Sequence, residues 1–238
     1  MHLNVFPFES LLVGRHGRSW ANLASARAAL GDHSLIDKFR HQHTSVMELD
    51  PEGEVQAKRK GVFLKRHGLV PCTFHACSKY RRAIATAQHM NVAQLWQEDA
   101  RLNERDWGPM DQISSAERTR LWPSWKTDKE ADPHEWRPIL GESIREVRLR
   151  VLQLLHELGQ QFPKERGCIV AHGETNLAIQ ACIERLTPEE FNLVEARMRM
   201  DNATLVHYHS DGNGRLWKRT IDPHTETVTD WSEVPLAR

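Results

Sequence analysis

Three short apolar runs constrain this chain more than any other feature. SLLVG (10–14), PCTFHACS (71–78) and GCIVAHG (167–173) each end at or just before a basic side chain and lead directly into helix-forming residues. Short apolar runs with polar boundaries read as strands buried on both faces. The stretches that follow, RSWANLASARAAL (18–30), YRRAIATAQHMNVAQLW (80–96) and ETNLAIQACIERL (174–186), are rich in good helix formers. Strand and helix in alternation predict an α/β fold, a three-layer sandwich with a mainly parallel central sheet flanked by helices. Ligands in such sheets sit at the carboxyl ends of the strands. Those ends deliver Arg15 and His16 from the first run, Arg82 just after the second and His172 from the third.

The remaining segments fit around that unit. DPEGEVQAKRKGVFLKRHG (50–68) predicts a helix with Pro51, Glu52 and Glu54 in its first turn. A second long helix follows Gly141, with apolar residues at Ile144, Val147, Val151, Leu154, Leu155 and Leu158. ATLVHYHS and GRLWKRTID, joined by DGNG, predict a terminal hairpin, with a flexible tail from about Thr227. Two stretches resist this pattern. The polar, histidine-rich excursion from Gly31 to Asp50 precedes the 50–68 helix, and residues 105–140, with four tryptophans and no periodicity, read as a cap over the site. One domain spanning 1–238 accommodates all of this.

Charge is balanced, 32 basic against 32 acidic residues, so no global field favours nucleic acid or a membrane surface, and any anion has to be captured locally. No apolar run is long enough to span a bilayer and the opening MHLNVFPFESLLV lacks a basic lead into an apolar core, so a cytoplasmic protein is expected. Cys72, Cys77, Cys168 and Cys182 form no C-x-x-C pair and read as buried thiols. His41 with His43, and His207 with His209, have H-x-H spacing but are expected to be solvated, and no metal is expected. Lys58, Arg59 and Lys60, and Tyr80 with Arg81, are read as solvated helix faces.

Two arginines and two histidines converging on one sheet edge suit a phosphate dianion, because guanidinium forks match its oxygens in bidentate fashion. A neutral imidazole at His16 can attack phosphorus in line, with Arg15, Arg82 and His172 stabilising the equatorial oxygens. The leaving alkoxide needs a proton, for which Glu104 in LNERDWG is the candidate and Glu174 its rival. Asn22 and Gly173 are further phosphate-binding candidates, and Ser19 and Trp107 substrate-binding ones.

These residues lie in motifs that resemble those of the histidine phosphatase, or phosphoglycerate mutase-like, superfamily. LLVGRHGRSWAN resembles its opening L-V-R-H-G-x-S-x-x-N, LDPEGEVQA its L-T-x-x-G-x-x-Q-A, and SKYRRAIATA its S-x-x-x-R-A-x-x-T-A, which selects Arg82 over Arg81. LNERDWG, GES (141–143) and IVAHG complete the set in the family's order. The resemblance implies His16 as nucleophile, Arg15, Arg82 and His172 as phosphate ligands, Glu104 as proton donor, and neither metal nor other cofactor. The departures are Gly14 before the R-H-G arginine, Asp50 in place of threonine, the long excursion after Asn22, and Glu174 directly after H-G. The expected function is metal-independent hydrolysis of a small phosphorylated metabolite. A phosphoglycerate-type mutase is the alternative, disfavoured because 105–140 lacks a match to the mutase's basic loops. A phospho-ligand-binding protein without turnover is the alternative of another class, and the full set of catalytic groups speaks against it.

Overall fold

The computed structural model of the protein describes residues 2–40, 42–111, 113–197 and 201–235. Strand β1 (Ser10–Arg15) leads into α1 (Trp20–Ala29), which opens on a capping box: Asn22 N donates to Ser19 Oγ while Asn22 Oδ1 accepts from Ser19 N. The excursion contains α2 (Ser34–Phe39) and a 3₁₀ turn at Thr44–Val46. Helix α3 (Pro51–Arg66) starts as its sequence predicts, with Pro51 in the first turn and Asp50 as the cap, accepting from Gly53 N at 2.8 Å. The second strand, β2 (Phe74–Ser78), begins three residues later than the apolar run suggests, beyond Pro71, and α4 (Arg81–Met90) follows. Asn91, in the left-handed region at φ 49°, stops α4 well short of Trp96. That leaves room for β3 (Gln97–Asp99), a strand not foreseen.

Within the cap lie two short helices, α5 (Ser115–Leu121) and α6 (Trp125–Ala131). A second capping box, Ser143 with Glu146, opens α7 (Ile144–Gln161). Then come β4 (Arg166–Ala171), α8 (Gly173–Ile183) and α9 (Pro188–Arg197). Helix α9 was not foreseen, although Thr187 and Glu190 exchange capping hydrogen bonds that T-P-E-E encodes. The expected hairpin is β5 (Leu205–Ser210) and β6 (Leu216–Asp222). Beyond it β7 (Thr227–Val228) and β8 (Ser232–Glu233) both pair with β6, so the segment 227–233 is tied to the sheet at both ends and is not the free tail that was expected. Trp231 between them stacks under the Arg219 guanidinium, 4.4 Å away.

The sheet order is β3-β2-β4-β1-β5-β6-β7. The first four strands are parallel and the C-terminal strands extend the sheet antiparallel, so the whole is a mixed sheet with a parallel half that carries the helices' loops. Side chains alternate across it with period two. Leu11 and Val13 of β1 enter a core with Val147, Val151, Leu154 of α7 and Ala178, Ile179 of α8. Leu12 points the other way, to Phe63 and Leu64 of α3 and Ala83, Ala87 and Met90 of α4. Each such fully buried leucine contributes about 1.5–3 kcal/mol, which explains why the strands are apolar without interruption. Three of the four cysteines are buried, Cys72 is partly exposed, and all are free thiols.

One lysine contradicts the reading of 58–60 as solvated. Lys60 is fully buried, and its Nζ donates to the backbone oxygen of Arg15 at 2.6 Å. Gly14 makes this possible: a Cβ there would stand 3.1 Å from Lys60 Nζ and 3.2 Å from Leu205 Cδ2. Tyr80 is also buried, whereas Arg81 is exposed and pairs with Glu48. His207 is buried as well and so is not solvated, whereas His209 is half-buried; both rings pack against Trp231 and brace the C-terminal strands. Of the other pair, His41 lies outside the described residues and His43 bonds Ser45. No helix among the described residues is long and apolar enough to cross a membrane.

The turn after β1 lies backbone against backbone on the start of α3. A Cβ on Gly17 would fall 2.3 Å from Gly53 O, and one on Gly53 would fall 1.9 Å from Arg18 O. Asp50 completes the junction by pairing with Arg18 at 2.6 Å, and Gln56 Oε1 accepts from Arg18 N at 2.7 Å. Gly53→Ala is therefore expected to destabilise the protein by about 3 kcal/mol or more, because the clash is with main chain that has no rotamer to change. Urea unfolding measures this; a loss within about 0.5 kcal/mol of zero, the scatter of surface substitutions, would contradict the packing.

Candidate active site

Register brings the two histidines together. In the parallel pair β1 and β4, Arg15 stands opposite Ala171, so the next residue of each strand, His16 and His172, emerges at the same edge, with ring centroids 4.9 Å apart. His16 is fixed at both ends of its backbone, its N donating to Ala171 O and its O accepting from Ala203 N. Its ring Nδ1 lies 2.6 Å from Gly17 O. A carbonyl only accepts, so Nδ1 carries the proton and Nε2 the lone pair. Arg82 Nε donates to that Nε2 at 3.1 Å. Burial, with the Arg82 and Arg15 guanidinium groups, holds His16 well below the usual histidine range, in the neutral form a nucleophile requires.

His172 is fixed by a relay that the sequence reading did not include. Ser78 Oγ lies 2.8 Å from His172 Nε2 and 3.0 Å from Asn103 Oδ1, and it accepts from Tyr80 N. Asn103 Oδ1 also accepts from Lys79 N, which marks it as the amide oxygen. The one proton of the Ser78 hydroxyl goes to Asn103, so Ser78 receives the Nε2 proton of His172. Nδ1 of His172 is then the unprotonated nitrogen, buried without a hydrogen-bond partner among the described residues. Burial and the neighbouring Arg82, His16 and Arg15 push His172 down as well. Ser78 opens the SKYRRAIATA motif and Asn103 sits in LNERDWG, so both were within view in the sequence, but no spacing rule connects them.

Arg82 is buried, and its Nη1 donates to both the backbone oxygen and the Oγ1 of Thr44, in the excursion. Thr86 braces it from the next turn, donating to Arg82 O while accepting from Gly17 N. Arg15 approaches Glu104 over Gly173: a Cβ on Gly173 would lie 3.8 Å from Arg15 Nε and 3.8 Å from Glu104 Oε2. Gly173 thus leaves open the gap between a cation and the proposed acid.

Glu104 has two distinct oxygens. Oε1 accepts from Arg105 N at 3.1 Å and from Thr175 N at 3.2 Å, with the Thr175 hydroxyl also at 3.2 Å. Oε2 is left for the cavity. Burial raises Glu104 above the usual carboxyl range, Glu174 adds to the shift, and Arg82 opposes it. Glu174 itself is bound to the cap, Oε1 accepting from Arg105 Nη1 at 3.2 Å and Oε2 from Trp107 Nε1 at 2.9 Å. Arg105 is buried between the rings of Trp107 and Trp136, and its Nε donates to Glu142 O.

Arg82, Glu104 and Glu174 open onto a cavity of about 170 Å³ whose wall also includes Asn22, Trp107 and Arg118, whereas Arg15, His16 and His172 are not among the residues of that wall. Ser19 also lines it, but its hydroxyl is committed to Asn22 Oδ1 at 2.9 Å. Asn22 Oδ1 accepts from Asn202 Nδ2 too, so the amide nitrogen is the end of Asn22 still able to donate to a ligand. Thr44, Asp111 and Arg118 line the cavity without having been anticipated, since neither the excursion nor the cap carries a periodic signal.

The chain matches the family model of the histidine phosphatase superfamily (branch 1) over residues 11–223. It belongs to that superfamily. A 2,3-bisphosphoglycerate-dependent phosphoglycerate mutase of Brucella melitensis is 29% identical over 195 residues, covering 76% of this chain and 84% of the mutase. Among solved structures, a mycobacterial glucosyl-3-phosphoglycerate phosphatase in complex with VO3 superimposes with a TM-score of 0.70 at 23% identity, over 89% of this chain and 96% of that one. The alpha-ribazole phosphatase of Shigella flexneri gives a TM-score of 0.66 at 18% identity, over 96% and 97% of the two chains. At these identities the structures speak for the fold, an α/β sandwich with a mixed central sheet.

Proposed function

We propose that the protein hydrolyses phosphomonoesters of small metabolites through a phosphohistidine on His16, without a metal. The observation that carries this is the state of His16: Nδ1–H donates to Gly17 O, and the Nε2 lone pair points into a cluster of Arg82, Arg15 and His172. In the first step Nε2 forms a bond to phosphorus as the bond to the ester oxygen breaks, and Glu104 Oε2 gives its proton to the departing alkoxide. Arg15 and Arg82 hold the equatorial oxygens, and His172 joins them once the bound phosphate dianion, offsetting the guanidinium charges beside the ring, draws a proton onto Nδ1. In the second step water attacks phosphorus, Glu104 takes up the proton, and the phosphorus–nitrogen bond breaks to release phosphate and restore neutral His16.

A mutase would share the first step and return the phosphoryl group to a rebound product, and the Brucella relative is such an enzyme by name. The two differ in where the phosphoryl group ends. A panel of sugar phosphates, nucleotides and phosphoglycerates, incubated with the protein and a chelator, is expected to release inorganic phosphate from at least one class. Phosphate retained at a new position on the organic product would establish the mutase. Activity that disappears with chelator would overturn the metal-free mechanism.

A further inference from the structure

Three consecutive residues at the start of α8 surround Glu104. Gly173 faces Oε2, Thr175 N holds Oε1, and Glu174 between them reaches past Glu104 to bind Arg105 and Trp107. Arg105 is also the residue whose backbone N–H holds Glu104 Oε1. One cation therefore stands beside two carboxylates, and its guanidinium is bonded to Glu174 while only its main chain meets Glu104. A proton donor benefits from this division, because a guanidinium paired directly with Glu104 would favour the ionised form, which has no proton to give.

We propose that Glu174 is a positioning residue for the proton donor: it holds the Arg105 guanidinium and the Trp107 indole on its own carboxylate and sets a fixed negative charge beside Glu104, so that Glu104 presents a protonated Oε2 to the leaving group. The proposal rests on the reading of Glu104 as that donor. The raised affinity of Glu104 for its proton, caused first by burial and next by Glu174, is in the expected direction. The pattern follows a general rule for neighbouring carboxylates, in which a like charge beside a buried carboxyl raises the affinity of that carboxyl for its proton. Glu174 is thus not placed as the rival acid, because both of its carboxylate oxygens are bonded to the cap, to Arg105 and to Trp107.

A purely structural Glu174, one that only fastens the cap to α8, makes a different prediction. Loss of a fastener slows every substrate alike, whereas loss of a proton-donor support slows only substrates whose leaving group needs the proton. Glu174→Gln keeps the size and an acceptor for Trp107 but removes the charge. With glycerol phosphate, whose alkoxide departs poorly, kcat/KM is expected to fall about 10- to 100-fold, a part of the roughly 10²- to 10⁴-fold that general-acid assistance supplies. With 4-nitrophenyl phosphate, whose anion departs unaided, it is expected to change by less than about 3-fold, there being little general-acid contribution to lose. The alkaline limb of the pH profile for the alkyl substrate is expected to move to lower pH, since Glu104 loses its proton more readily. Equal losses on both substrates, or an unmoved alkaline limb, would overturn the proposal. Should Glu174→Gln fail to fold, Glu174→Asp draws the charge back by one methylene and is expected to show the same substrate-selective loss at smaller size, with equal losses again overturning it. Failure of the underlying reading looks different: Glu104→Gln would then treat both substrates alike, or the wild-type protein would hydrolyse neither.

Discussion

His16→Ala is expected to lower phosphate release by on the order of 10⁴-fold or more, the scale on which loss of a covalent nucleophile is felt. It is also expected to abolish the phosphoryl-enzyme that can be trapped from labelled substrate. The substitution is suited to the question because the fold does not depend on the imidazole. The backbone hydrogen bonds of residue 16 to Ala171 and Ala203 persist in any variant. Arg15, Arg82 and His172 also remain, and Arg82 Nε loses the nitrogen it now bonds. Inorganic phosphate is accordingly expected to bind the variant at least as well as the wild type, so calorimetric titration and turnover should part company. Residual activity within tenfold of wild type, with the fold intact by circular dichroism, would exclude His16 as the nucleophile.

The second large effect is on stability. Burial lowers Lys60 to about 7 from an ordinary value of 10.5. Between those values the unfolded chain binds a proton that the folded chain does not, so stability rises as pH rises through the window, and below about pH 7 the folded state carries the full penalty of a buried cation. A displacement of that size corresponds to about 5 kcal/mol. Lys60→Met removes the penalty but leaves Arg15 O without its donor, a loss of about 1–3 kcal/mol. The variant is therefore expected to be more stable than wild type by about 2–4 kcal/mol at pH 6. That advantage should shrink, and then reverse, as pH approaches 10.5, where the lysine is neutral in both states. Urea titrations at pH 6, 8 and 10 test this; a variant that is less stable at pH 6, or a difference that does not vary with pH, would refute it.

The parallel half of the sheet and the four basic groups at its edge were legible because each depends on local signals: an uninterrupted apolar run, a change to helical composition, a basic residue at the boundary. Lys60 was not legible. Its burial depends on the absence of a side chain at Gly14 on a strand far away in sequence, and within its own helix the run K-R-K looks solvated. β3 escaped because Gln97, Glu98 and Asp99 are polar residues on an edge strand, with one neighbour, β2, and no apolar pattern to display. The tail was misjudged for a related reason: Thr227–Val228 and Ser232–Glu233 are exposed, and main-chain pairing to β6 and the Arg219–Trp231 contact hold them in place, which a hydropathy pattern does not register. Glu174 was singled out as a departure, but its meaning lay with Arg105 and Trp107, almost seventy residues earlier.

Helix α8 has no exposed face beyond its first turn: every residue from Thr175 to Ile183 is buried. The cap helices α5 and α6 are its opposite, with no buried residue in either. Random substitution will therefore be received very differently at the two ends of the cavity. On α8 nearly every change alters packing and is removed, so the segment that places His172, Glu174 and Thr175 is held to a narrow set of sequences. On α5 and α6 most changes cost little, and of the two only α5 reaches the cavity wall, through Arg118. A lineage built on this scaffold would keep the sheet-edge end of its cavity and vary its cap.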